Sequence, residues 1–432
     1  MTGLAAELNE ELDRRLGEDD ALRTARYPGD AGDRQPVHTV YVPADRFAAD
    51  TPRRWSEQAL DLLDRFAPDA EALAAATARP VAEVAAVHAR VVSKLATEPV
   101  EDLRVDFEDG YGVRGDAVED ADVTRALAGF DELAGRPGRP PFFGIRFKSF
   151  EGPTRHRGVA TLTAVVAGLA AAAAQGRTLP NGFVLTLPKV TSVDQVAAMV
   201  HVCERLESDL GLEPASLRFE VQIETAQAIL GADGTATVAR LVQAARGRCS
   251  GLHYGTFDYS AGLGITAAYQ SLEHPAAVHA TAVMQVAAAQ TGVRLSDGST
   301  NVVGFADAEQ AAATWTLHAR LVTRALERGY YQGWDMHPGH LPTRYLATYL
   351  FFRAAMPTAA ARLRAYVDAV TGEAPTGGVL DEPATARALA TALLRGIRCG
   401  AVDESEVEAG AGLDADALLR LTSPAAPVEV AP

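Results

Sequence analysis

Short runs of branched and aromatic residues alternate with longer amphipathic stretches along most of the chain. The runs that predict strands are VHTVYVP (37–43), LRVDFED (103–109), FFGIRF (142–147), GFVLTLPK (182–189), LRFEVQIE (217–224), SGLHYGT (250–256), VRLSD (293–297) and QGWDMHP (332–338). Helix-length segments lie between them, among them 154–175, 192–209, 235–247, 273–291 and 305–328. Such alternation implies βα units, and eight of them predict an α/β fold, a (β/α)8 barrel with helical extensions at both ends. A doubly wound sheet is the competing arrangement, but neither GxGxxG nor GxxxxGK[ST] follows the first strand.

The pattern divides the chain into a helical lead-in (1–36), a barrel (37–344) and a C-terminal helical extension (345–432). The barrel carries a long helical insertion, 50–100, between its first two strands. Segment 341–370 reads as a helix with an aromatic stripe of Tyr345, Tyr349 and Phe352; a TGEAPTGG loop then leads to a helical tail, 383–421.

Composition narrows the function classes. Of 432 residues 48% are hydrophobic, enough for a large core. Acidic residues outnumber basic ones, 56 to 40, and the charge of −16 argues against a nucleic-acid partner, whose phosphates need clustered Lys and Arg. Three scattered cysteines, Cys203, Cys249 and Cys399, make neither a disulfide framework nor a zinc knuckle. The longest apolar stretch, Val159 to Ala174, falls short of the roughly 20 residues a membrane span needs. The charged N-terminus has no signal-peptide core, so a cytoplasmic protein without membrane association is expected.

A barrel of this kind carries its chemistry at the C-terminal ends of its strands. Those ends hold Asp106, Glu108 and Asp109 (second strand), Arg146 and Lys148 (third) and Lys189 (fourth). Further round come Gln222 and Glu224 (fifth), Asp258 beyond the sixth, and Asp335 with His337 at the eighth. Charges at the ends of apolar strands are costly unless paired or metal-bound, so the pattern points to a catalytic mouth. Glu224 and Asp258 lie one βα unit apart and can share a cation; two carboxylates suit Mg2+ or Mn2+. The other reading of the pair is a cap or a salt bridge. Arg146 can grip a carboxylate or stabilise an oxyanion, or it can pair with the acids of the second strand. Lys189 divides between a substrate contact and a barrel salt bridge, and its acidic neighbours disfavour a Schiff base. In GTFDYSAGLGI (255–265), Gly255 and Gly262 allow close backbone approach, which makes Gly255, Thr256 and Phe257 candidates for substrate binding. His337 and His340 share an HPGH turn with no cysteine or third histidine nearby in sequence, which argues against zinc. His253, inside an apolar strand, reads as a core residue.

In order, VYVPADR, VDFEDGYG, IRFKSF, LTLPKVTSVDQV, VQIETAQAIL, GLHYGTFDYSAGLG and DMHPGHL resemble the motifs of the HpcH/HpaI aldolase and citrate lyase β-subunit superfamily, over about residues 38–344. The resemblance implies a metal-dependent barrel lyase that binds Mg2+ or Mn2+ through Glu224 and Asp258. It places Arg146 on the substrate's carboxylate and enolate oxygen and the family's acidic cluster on Asp106, Glu108 and Asp109; of these Glu108 and Asp109, with Arg146 and, from its strand-end position, Lys189, are the catalytic candidates. Gln222 falls on the QxE arrangement of the members that do not use CoA. The implied substrate is a small 2-oxoacid or related acyl carboxylate, cleaved at a carbon–carbon bond through an enolate. The implied assembly is a homo-oligomer, since some members take an acid/base group from a neighbouring subunit. Two features depart from the pattern: the fifty-residue link between the first two strands, and RFKS where R-[IV]-N is usual. No basic patch for a CoA phosphate stands out, which weighs against a CoA thioester substrate. Thioester hydrolysis, phosphoryl transfer on a phosphoenolpyruvate-type substrate and ligand sensing without turnover are the competing functions for such a site.

Overall fold

The computed structural model describes residues 2–174, 181–371 and 382–422; the loop expected at TGEAPTGG lies, after Thr371, outside them. All eight expected strands form: β1 (His38–Pro43), β2 (Asp102–Asp106), β3 (Phe142–Arg146), β4 (Phe183–Leu187), β5 (Phe219–Ile223), β6 (Cys249–Tyr254), β7 (Arg294–Ser296) and β8 (Gly333–Trp334). They pair in parallel in the order β7-β6-β5-β4-β3-β2-β1-β8. A parallel bridge between Ser296 and Gln332 joins the two ends, with the Asp297 amide donating to the Gln332 carbonyl at 2.8 Å. The chain is thus a (β/α)8 barrel with helical extensions.

The strands are shorter than the apolar runs suggested, and local chemistry ends them. After β2 the Asp106 carboxylate folds back to accept the amides of Glu108 (3.0 Å) and Gly110 (2.9 Å), turning the chain. After β4 comes Pro188, which has no N–H for the ladder. Glu108, Asp109, Lys189 and Glu224 therefore stand on the turns that follow the strands.

Strand alternation has a consequence that reading these runs as continuously apolar misses. Leu103, Val105 and Phe107, Ile145 and Phe147, Leu185 and Leu187, and Phe219, Val221 and Ile223 are buried in one cluster with residues of the surrounding helices, such as Val123, Phe130, Val165 and Met199. Their neighbours Asp102, Arg104, Asp106, Arg146, Glu220 and Gln222 point the other way, into the barrel, and are also buried. The lumen is ionic where such barrels are usually filled by branched apolar side chains. Arg104 pairs with Asp102 and with Glu220 (2.8 Å), and Thr186 and His253 complete that layer on Glu220 at 3.2 and 3.1 Å.

The insertion supplies helices Thr51–Phe66, Ala70–Thr77 and Val81–Thr97, and helix Leu341–Thr371 follows β8. Leu62, Leu73, Val84, Val87, Val91 and Leu95 of the insertion share a second core with Trp315, Leu341, Tyr345, Leu346, Tyr349 and Phe352. Helices Pro383–Arg398, Glu404–Ala411 and Ala415–Thr422 close a third core on the far half of helix Leu341–Thr371. Helix Thr2–Arg26 carries Leu4, Leu8, Leu12 and Leu16 exposed. No helix among the described residues is long and apolar enough to cross a membrane. Cys203, Cys249 and Cys399 are buried and unpaired, and burial pushes each thiol up to about 12.

Trp315 is the largest fully buried side chain and donates its indole N–H to the Gly339 carbonyl at 2.7 Å. Trp315→Ala should cost about 3–5 kcal/mol of unfolding free energy, measured by urea denaturation.

Candidate active site

Most of the acidic and basic residues singled out at the strand ends meet at one point. The Lys189 ammonium lies 2.7 Å from Asp109 Oδ2, 2.8 Å from Asp258 Oδ2, 3.7 Å from Glu108 Oε1 and 4.0 Å from Glu224 Oε1. Four carboxylates from the turns after β2, β5 and β6 thus surround a single cation. The arrangement is graded in depth: the side chain of Glu224 is 2% exposed and that of Glu108 10%, while Asp258 and Asp109 are 47% and 52% open at the rim.

Backbone geometry places each member. Lys189 has a positive φ of 52°, rare for a residue with a side chain, and its amide donates to Glu224 Oε1 at 2.7 Å. Gly255 is the residue against which Glu224 lies. A Cβ there would come within 2.7 Å of Glu224 Oε2, so only glycine leaves that carboxylate its place. Asp258 sits in the first turn of the short helix Thr256–Gly262.

Arg146 lies beside the cluster with one edge already fixed. Its Nε and Nη2 donate to Asp106 Oδ1 and Oδ2, both at 2.7 Å, a bidentate pair inside the barrel. Its Nη1 faces the cluster, 3.4 Å from Glu108 Oε2 and 3.4 Å from Gln222 Oε1. Tyr41 and Trp334 flank the guanidinium at 4.7 and 5.7 Å from their ring centroids. The sequence reasoning passed over both aromatics. The available signal was topological, because Tyr41 lies on β1, which adjoins β2 on the side away from Arg146, and Trp334 lies on β8, which adjoins β1.

Burial is the largest influence on the carboxylates. It pushes Glu108 up to about 8, against the pull of Arg146 and with a further push from Asp109. It pushes Glu224 up to about 6, with Lys189 and Arg146 opposing. Burial pushes Asp109 up as well, but the bond to Lys189, the charge of that ammonium and Arg146 together hold it below the usual carboxylate range. Lys189 is raised by Glu224 and Glu108 against a desolvation that acts the other way. Two carboxylates pushed upward around one ammonium mark a site short of positive charge. Hard oxygen donors converging on one point, reachable from solvent through Asp258 and Asp109, fit Mg2+ or Mn2+ held by Glu224 and Asp258.

Other expected contacts are committed elsewhere. The Thr256 hydroxyl donates to the Ser299 carbonyl (3.2 Å) and accepts the Ser299 amide (3.1 Å), a link between the turns after β6 and β7. Phe257 is half-buried, and Gly262 has open space around it rather than a close neighbour. Lys148 is buried against Glu119 (2.6 Å) and the Phe107 carbonyl (2.7 Å), and His253 is a satisfied core residue on Glu220.

A second cluster corrects the expectation that no third histidine neighbours the HPGH turn. His318, from helix Ala308–Glu327, joins Asp335 and His340 with ligating atoms within 4.8 Å of one another, a possible metal site by distance. Its chemistry is otherwise occupied. The imidazoles of His318 and His340 stack at 4.4 Å and 11°, so their in-plane lone pairs run side by side rather than meeting. Asp335 is bonded by Arg344 at 2.8 and 3.0 Å and by His318 Nε2 at 3.0 Å. His38 Nε2 accepts the Glu101 amide, which leaves the proton on Nδ1, 3.2 Å from Asp335 Oδ2. The cluster ties β8 and β1 to the helices behind them.

The sequence profile of a family described as a domain of unknown function (DUF6986) matches residues 16–425, nearly the whole chain. The chain belongs to the DUF6986 family. No curated protein matches its sequence significantly. Among solved structures this DUF6986 chain is similar to a citrate lyase from Burkholderia xenovorans LB400, at 17% identity over 87% of this chain and 95% of that one, with a TM-score of 0.57. It is also similar to a malate synthase from Haloferax volcanii in a magnesium and glyoxylate complex (14% identity, 90% and 98% covered, TM-score 0.47). An HpcH/HpaI aldolase and citrate lyase family protein from Burkholderia cenocepacia J2315 matches at 15% identity (74% and 93% covered, TM-score 0.40). At these identities the likeness is one of fold.

The histidine cluster generates a pH dependence. Burial lowers His318, takes His337 down to about 4 and takes His340 down to about 3. At these histidines the folded chain refuses protons that the unfolded chain accepts, so their contribution to stability falls as pH drops below about 6.5 toward those values, opposite in sign to the contribution of the raised carboxyls of Glu108 and Glu224. His340 alone contributes a slope of about 1.4 kcal/mol per pH unit in that window. Urea denaturation between pH 6.5 and about 5 should show His340→Gln gaining stability relative to the unsubstituted protein as pH falls, with a slope of about one proton. A difference between the two proteins that does not change with pH would contradict this account.

Proposed function

We propose that the chain is a divalent-metal-dependent carbon–carbon lyase or aldolase acting on a 2-oxoacid or related carboxylate through an enolate. The observation that supports this most directly is the convergence of Glu224, Asp258, Glu108 and Asp109 on one cation beside an arginine whose far edge is fixed. The fold shared with a citrate lyase agrees with it.

Held by Glu224 and Asp258, Mg2+ or Mn2+ would supply Lewis-acid stabilisation of developing enolate charge. The chain's own residues account for the rest. Asp106 holds Nε and Nη2 of Arg146, leaving Nη1 to donate to a substrate carboxylate or enolate oxygen. Tyr41 and Trp334 keep that guanidinium in place and shield it from water. Glu108, pushed up to about 8 and 3.4 Å from Arg146 Nη1, can hold or release a proton at Oε2 near neutral pH. Gln222 offers its amide N–H to the substrate while its carbonyl faces Arg146.

With Mg2+ and a panel of 2-oxoacids and 4-hydroxy-2-oxoacids, the protein should give carbon–carbon cleavage or condensation products detectable by mass spectrometry. Chelation should abolish turnover. Glu224→Gln and Asp258→Asn should lower it by about a hundredfold or more without changing the circular dichroism spectrum. Full activity in metal-free buffer would sink the scheme. Release of free CoA or phosphate without carbon–carbon cleavage would mark a hydrolase or phosphotransferase, and tight binding without turnover a sensor. Gly255→Ala, by pushing Glu224 aside, should weaken Mg2+ binding by about tenfold in calorimetric titration.

A further inference from the structure

The opposite end of the barrel holds a cavity of about 1170 Å3, set among the N-terminal ends of the strands and roofed by the lead-in that follows helix Thr2–Arg26. Its floor is the ionic layer of Arg104 and Glu220, whose charges are satisfied by each other and by Asp102 and His253. Its wall differs. Arg294, at the start of β7, is half-buried, and its guanidinium has no hydrogen bond or ion pair with any described residue. It rests on the face of Phe142 at 5.7 Å. Arg218 lines the same cavity, also without a hydrogen-bond or ion-pair partner among the described residues, and it acts on Arg294 as a like charge. Arg26 and Arg246 stand on the lining as well, Arg246 with a single distant carboxylate, Glu204 at 3.8 Å.

None of the described acids of this region makes an ion pair with Arg294, Arg218 or Arg26. Asp30 is bonded to Arg395 at 3.0 Å, and Arg34 is held by Glu98 and Glu101. Burial lowers Arg294; Asp33 and Asp30, the strongest charges acting on it, pull it up and Arg218 pushes it down, but neither aspartate makes an ion pair with it. Arg294, half-buried and without an ion-pair partner among the described residues, pays a desolvation penalty there, and a bound anion would supply the missing partner.

We propose that this recess is a second ligand site, for a small molecule carrying two or more phosphate groups. Arg294 and Arg218 bind the phosphates through charge-assisted hydrogen bonds, Arg26 and Arg246 attract them, and the Phe142 ring borders the space left for an organic moiety. The volume holds a molecule of nucleotide size, within the range of ordinary ligand pockets or slightly above it. The barrel separates this site from the carboxylate cluster at the other mouth, so the proposal stands whether or not that mouth is a lyase site.

Pyrophosphate and ADP are the probes, each titrated calorimetrically into the full-length protein in chelator-containing buffer, so that no divalent ion can carry the phosphates to Glu224 and Asp258. Both should bind at micromolar to millimolar concentration; tighter binding of ADP would show that the nucleoside occupies the space beside Phe142, and equal binding that the phosphates alone are recognised. Arg294→Ala and Arg218→Glu should each weaken binding by about tenfold or more. Glu224→Gln should leave it unchanged. Arg218 is exposed, so its variant tests the site even if Arg294→Ala proves unstable. Absence of binding by both probes, or binding indifferent to Arg218→Glu and Arg294→Ala, would overturn the proposal. So would binding lost in Glu224→Gln, which would place the anion at the other mouth.

Discussion

Everything at the mouth of this barrel depends on guanidinium–carboxylate pairs buried in its lumen. Arg104 with Asp102 and Glu220, and Arg146 with Asp106, stand where a barrel of this kind usually packs branched apolar side chains. Such pairs contribute little net stability over an apolar core, yet removing one partner leaves a buried charge and costs about 3–5 kcal/mol. Their value is directional. A bidentate contact fixes the plane of Arg146, and two aromatic faces hold it there. The strands therefore carry two messages at alternate positions: the outward residues attach the helices, and the inward ones align the chemistry.

Much of this was legible in the chain. The alternation of apolar runs with helical segments located all eight strands, and the acidic and basic residues at their ends located the residues that meet around Lys189. Strand lengths were not legible, because the runs continue past the points where Asp106 turns the chain and Pro188 interrupts the ladder. Nor were contacts between distant segments. Nothing local to HPGH announces His318, which arrives from a helix packed behind the strands, and nothing in GTFDYS announces that Thr256 is taken by Ser299. The cavity at the other end was invisible for the same reason. Its arginines come from four separate segments, and none forms a basic run.

The helical additions are equally non-local. The insertion after β1 and the helix after β8 each present an apolar face, and the two faces meet in one core through Leu73, Val91 and Tyr349, joined there by Trp315 of helix Ala308–Glu327. Two regions that look like independent decorations in sequence thus form one layer against one side of the barrel.

The position of Lys189 bears on the order of events in the life of the molecule. Four carboxylates gathered at one point would repel one another during folding if nothing offset them. The ammonium at their centre is covalently part of the chain and arrives with β4, so the mouth can close on an internal counter-ion before any ligand is encountered. Assembly of the barrel and loading of its site become separable steps, and any external cation must enter by competing with a tethered one.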